Sequence, residues 1–170
     1  MNLPVLSRRT AFCALAAMLA APLLASRASA QPTTRFRAIE VDVSNVRRSG
    51  DNVSADRIAR ELPALLKGSF AGHLAPGARG APVLRARVDC VTYGSEGSAT
   101  TPANPYGAKD YIEGAGLVIG PGGRVVASYP LLTSVIAHPD LTDITGQSGR
   151  TRTTTLAQSF AQWLPGKMGL

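Results

Sequence analysis

Any chemistry in this chain has to come from a small set of side chains. The 170 residues hold two histidines, His73 and His138, and two cysteines, Cys13 and Cys90. The densest group is His138-Pro139-Asp140 with nearby Asp143. An imidazole and two carboxylates could ligate a cation or act as general base. Their spacing matches no metal loop, however, and a solvated turn collects the same residues. Gly146-Gln147-Ser148-Gly149 resembles a nucleophile elbow, where a serine sits on a sharp strand-to-helix turn. Here the second glycine arrives one residue early, Arg150 takes its place, and no strand leads straight into the segment. A small hydrolase built on Ser148 or on the His138–Asp143 loop is thus the alternative function, and no catalytic residue is assigned.

The arginines are better candidates for interaction. Arg85 and Arg87 alternate with apolar residues and project from one strand face, with Arg35 and Arg37 on the neighbouring strand. Guanidinium groups so placed can meet anionic lipid head groups or a partner's carboxylates. The competing reading is a solvated face with local pairs to Asp89, Glu40 or Asp42, since alternating charge is what a wet sheet face looks like. Tyr106 and Tyr111 flank a long polar loop and offer an adhesive edge, though such tyrosines also pack over a core rim. Cys90 reads as a small buried hydrophobe, because a reactive thiolate needs exposure and a nearby positive group. His73 is expected to meet helix C-terminal carbonyls, where a cation is favoured. Asp56 and Glu61 are ordinary helix-surface acids. No histidine and cysteine spacing makes a metal cassette, and no glycine-rich phosphate loop follows a strand, so neither metal nor cofactor is expected.

These residues must be held by elements that the periodicity outlines. Residues 35–46 alternate Ile39, Val41 and Val43 against Glu40, Asp42 and Ser44, which predicts a half-buried strand. A polar connection from Arg47 to Asn52 leads to an N-cap at Ser54 and a helix beginning near Ala55. That helix carries Ile58, Leu62, Leu65, Leu66 and Phe70 on one stripe, with Pro63 predicting a kink or a break near Leu62. Val83 to Tyr93 alternates, with Leu84, Ala86, Val88, Cys90 and Thr92 expected inside and Arg85, Arg87, Asp89 and Tyr93 outside. Residues 94–108 are a loop by composition. Asp110–Ile119 and Arg124–Ile136 pair as a hairpin across Gly120-Pro121-Gly122-Gly123. Gly114 and Gly116 suggest a bulge or a close backbone approach, and Pro130 marks an edge strand or a break. A second helix spans Thr153 to Leu164, with Leu156, Phe160, Trp163 and Leu164 as its stripe and Pro165-Gly166 as its stop. The order β-α-β-β-β-α predicts an α+β two-layer sandwich: two helices on one face of a four-stranded, mostly antiparallel sheet. The crossover between the first two strands permits a parallel pair.

The amino-terminal stretch assigns a compartment. Arg8 and Arg9 precede an apolar run from Ala11 to Leu24, and Ala28-Ser29-Ala30 ends it. A positive start, a short apolar middle and an Ala-x-Ala end describe a cleavable export signal. The run is shorter than the roughly 18 to 20 residues a bilayer requires, so no transmembrane anchor is expected after cleavage. Ser7-Arg8-Arg9 resembles the twin-arginine export motif, with Phe12 one position late, and an ordinary general-secretion signal fits equally. Bulky Phe12 and the early position of Cys13 argue against lipidation. Residues 31–170 then form a single domain of ordinary size. Three arginines and no acids leave with the signal, so the net charge falls from +7 to +4. That is not the footprint of a nucleic-acid binder. With Cys13 removed, Cys90 has no intramolecular disulfide partner.

The element order, the strand Glu113-Gly-Ala-Gly-Leu-Val-Ile, the turn Gly120-Pro-Gly-Gly and the following Arg124-Val-Val-Ala resemble small domains and lipoproteins of Gram-negative envelopes. The lipopolysaccharide-assembly lipoprotein and the auxiliary lipoproteins of lipid-transporting ABC systems share this layout. The resemblance implies an accessory or binding role without catalysis, and it carries no binding residue across. The expectation is a non-enzymatic periplasmic protein that meets an envelope protein, an anionic lipid or a second copy of itself, through the uncovered sheet face or the 94–109 loop.

Overall fold

The computed structural model describes residues 34–94, 108–136 and 147–170. Its elements are β1 (Ala38–Asp42), α1 (Ser44–Arg48), α2 (Asn52–Ser69), a 3₁₀ turn (Ala71–His73), β2 (Val83–Thr92), β3 (Lys109–Ile119), β4 (Val125–Ile136) and α3 (Gln147–Lys167). The sheet order is β1-β2-β3-β4. β1 and β2 are parallel, joined by the helical crossover, and the other two pairs are antiparallel. This is the expected α+β layout, with one more helix than the periodicity indicated.

The extra helix comes from a turn in the middle of an apparent strand. Asp42 accepts a hydrogen bond at 3.0 Å from the backbone N–H of Ser44, and that short loop turns the chain out of β1. The strand therefore stops at Asp42 instead of running to residue 46. Val46 then points inward from α1 and is buried. α2 starts three residues before the expected Ala55, because Asp51, not Ser54, caps it by accepting from the Ser54 N–H at 3.0 Å. Pro63 does not divide α2, which runs unbroken past it.

The main core lies between the three helices and one sheet face. Ile58, Leu62 and Leu66 of α2 meet Leu156, Phe160 and Leu164 of α3 over Leu84, Ala86, Val88 and Ile112. Phe36 and Phe70 close one end edge to face, with ring centroids 5.9 Å apart. α3 begins at Gln147, not Thr153, and passes through Pro165 to Lys167. Its buried stripe omits Trp163, which is 62% exposed. Thr153, Leu156, Ala157, Phe160, Ala161 and Leu164 repeat at helical spacing, and Trp163 sits off that stripe.

The hairpin turn is as the sequence indicates. Gly123 N–H bonds Gly120 carbonyl and Gly120 N–H bonds Arg124 carbonyl, both at 2.9 Å, with Gly123 at φ +75°. Both strand glycines mark close approach. A Cβ on Gly114 would stand 2.1 Å from the Arg87 carbonyl oxygen, and one on Gly116 would stand 2.8 Å from Leu164 Cδ1. β4 lies at the sheet edge with Pro130 in its middle, where a strand proline is tolerated.

Strand β2 departs from its apparent alternation. The register with β3 shifts between Val88 and Cys90, so Asp89 is an extra residue that inverts the faces beyond it. Cys90 is consequently exposed rather than core. Tyr93 goes the opposite way and packs against the main core instead of lying outside.

Candidate functional site

Directly opposed residues on paired strands share a face, so the register defines the sheet surface turned away from the core. Arg85 and Arg87 of β2 oppose Leu117 and Ala115 of β3, which oppose Ser128 and Pro130 of β4. Val83, Ala115, Leu117 and Ile119 make a second, smaller buried cluster here. No described helix packs on this side, because all three contribute to the main core. Along β3 and β4, Tyr111, Val125, Val126, Leu132 and Ile136 are large and exposed. The face is thus richer in exposed apolar residues toward β4, with Lys109 and Glu113 set among them, and charged toward β1.

The charged half is internally paired. Arg85 donates to Glu40 Oε2 from Nε at 3.0 Å and from Nη2 at 2.8 Å, directly across the parallel pair. Arg87 Nη2 donates to Asp89 Oδ2 at 3.0 Å, and Asn45 of α1 also donates to Asp89. The Arg87 guanidinium is held above its ordinary pKa, chiefly by Asp89. Asp42 is held below its ordinary value, first by the Ser44 backbone N–H and its hydroxyl, then by nearby Arg85 and Arg87. Arg35 and Arg37 precede β1 and fall outside its pairing. Tyr111 lies on this same face, opposite Thr92 and Ser134. Tyr106 lies outside the described residues.

A second polar group, on the core side, has no counterpart in the sequence reading. Asp110 is fully buried and takes a forked pair from Arg152 of α3, with Nε to Oδ2 at 2.7 Å and Nη2 to Oδ1. Arg152 also donates to the Gly94 carbonyl at 2.8 Å, and Gly94 N–H donates to Asp110 Oδ1 at 3.0 Å. The guanidinium stacks 5.1 Å above the Tyr93 ring. The Tyr93 hydroxyl lies 2.8 Å from Ser54 Oγ and 2.6 Å from Thr153 Oγ1. Four elements are tied at one end of the sheet. The signal that could have found this cluster is phase. The alternation that turns Ile112, Gly114 and Gly116 inward turns Asp110 inward too, and a buried carboxylate requires a partner.

The remaining candidates do not converge. His73 sits in the 3₁₀ turn with its Nδ1 buried and without a hydrogen-bond partner, rather than on the final carbonyls of α2. Asp56 pairs with Arg47 at 2.6 Å, and Glu61 faces Arg57 at 3.6 Å and accepts from Thr154 at 2.8 Å. Ser148 falls in the first turn of α3. His138, Asp140 and Asp143 lie outside the described residues. Among the described residues, no group of three His, Cys, Asp or Glu could hold a metal. No described helix is long and apolar enough to cross a membrane.

No family model and no curated protein matches the chain. Among solved structures it is similar to rare lipoprotein B from Shewanella oneidensis, at 12% identity and a TM-score of 0.43. The alignment covers 78% of this chain and 93% of that one.

Proposed function

We propose that this chain is a non-enzymatic, exported accessory or binding protein of the cell envelope, which meets a protein partner through the β3–β4 half of its outer sheet face. The observation that carries this reading is the run of exposed apolar side chains there, Tyr111, Val125, Val126, Leu132 and Ile136, beside the small cluster centred on Leu117. Exposed apolar side chains gathered on one sheet face mark interaction sites, and Glu113 and Lys109, opposite Leu132 and Ile136, put charge among them. The signal-like residues 1–30 support export, and the internal pairing of Arg85 and Arg87 favours a protein over an anionic head group.

The test is site-specific crosslinking from position 111 or 132 in intact cells, alongside co-sedimentation of the purified protein with anionic and with zwitterionic vesicles. One discrete adduct to a protein other than a second copy of this chain, abolished by Leu132→Glu without change in far-ultraviolet circular dichroism, is the expected result. Adducts that persist in that variant, or binding to anionic vesicles alone, would sink the protein-partner reading.

A further inference from the structure

We propose that β4 is a dimerisation edge, on which the β4 strand of a second copy pairs antiparallel about a two-fold axis at Leu131, extending the sheet to eight strands. Among the described residues β4 has a neighbour only in β3, so its other side presents unpaired backbone donors and acceptors. Proteins ordinarily protect such an edge with charges, shortness or proline. This one is long and has no charged residue from Val125 to Ile136; Pro130 and the extra residue Val126, at the end of the strand next to the turn, are its guards. The proline lacks an N–H and so removes one bond per chain from the proposed pairing.

What selects a second copy over an unrelated strand is the self-complementarity of the sequence about Leu131. On the outer face the two-fold sets Ser128 opposite Ser134 and Pro130 opposite Leu132, the pairing ending before the bulge at Val126. On the core face it sets Leu131 opposite itself and Tyr129 opposite Thr133. Hydroxyl meets hydroxyl and apolar meets apolar at each of these positions, the pairing that cross-strand neighbours favour. Moving the register by two residues in either direction puts Ser128 opposite Leu132 or Ile136 and loses the match.

The surroundings of the edge fit an added strand. Leu131, Leu132, Thr133 and Ser134 form an open groove with Trp163 of α3. Trp163 is exposed, while Thr133 is only 7% exposed and its Oγ1 has no hydrogen-bond partner. The two-fold brings the second copy's Tyr129 beside Thr133, and an added strand covers the groove wall. The inference is independent of the envelope role, since a dimer through β4 can form whatever the outer face binds.

Sedimentation of the exported, processed protein should give twice the chain mass. Ser128→Glu/Ser134→Glu places like charges opposite each other at both symmetric positions and should reduce the mass to that of one chain, with circular dichroism unchanged. Ser128→Glu/Ser134→Lys pairs opposite charges in the same register and should restore the dimer. A wild-type monomer at high concentration, a dimer that survives the double glutamate, or a lysine variant that stays monomeric while folded would each overturn the proposal. Loss of an envelope adduct in a variant that remains dimeric would bear only on the outer-face reading.

Discussion

At the scale of single residues, the position with the largest predicted consequence is Arg152. It neutralises Asp110, a carboxylate with no solvent exposure, and its fork geometry satisfies both carboxylate oxygens. Arg152→Met should destabilise the fold by about 3 to 5 kcal/mol, because removing one partner leaves an uncompensated buried charge. Arg152→Lys should recover only part of that loss, since an ammonium lacks the planar fork. Urea unfolding of both variants checks the order. Asp42 makes a pH-dependent contribution. Its folded pKa lies below the ordinary 3.8, so its stabilisation is complete above the unfolded value and disappears as pH falls through the folded one. Asp42→Asn retains an acceptor for Ser44 but not the charge. The gap in urea midpoint between wild type and variant should therefore close across the acid range, and a gap that stayed constant would contradict the assignment.

At the scale of elements, one inserted residue and one helical phase decide what is exposed. The bulge at Asp89 moves Cys90 to the surface. A maleimide should therefore label Cys90 in the native protein nearly as fast as in urea, whereas strong native-state protection would restore the core placement. On α3, Trp163 and Leu164 are adjacent and have opposite burial. Leu164→Ala should cost about 2 to 5 kcal/mol through lost burial and the cavity it leaves. Trp163→Ala should stay within about 0.5 kcal/mol in a monomeric background, as for an exposed position. The sequence contained the ingredients of both outcomes. Period-two alternation in β2 was legible, but a bulge has no local signature when the inserted residue is itself polar and fits the pattern. The hairpin strands were legible nearly to the residue, because four successive Gly and Pro positions punctuate two strand-like runs rich in β-branched and other apolar residues.

At the scale of the whole molecule, export and processing are the expectation that sequence chemistry carries unaided. Edman or mass-spectrometric analysis of the exported protein should read Gln31 as its first residue, and retention of residues 1–30 would refute cleavage after Ala30. The layer arrangement was equally accessible. Two amphipathic stripes and four strand-like runs leave few ways to bury both helices, and one-sided packing on a mixed sheet is the simplest of them. Composition and periodicity therefore determined the order of the four strands and the two long helices, the hairpin and the apolar stripe of each long helix, and narrowed Pro130 to an edge strand or a break, because each depends on neighbours only a few residues away. Tertiary structure alone decided three things: the inverted phase beyond Asp89, the partner that neutralises Asp110, and which face carries exposed apolar residues. Each of these is settled by groups far apart in the chain. Glu40 and Arg85, Tyr93 and Thr153, and Asp110 and Arg152 meet only when the sheet and helices close on one another.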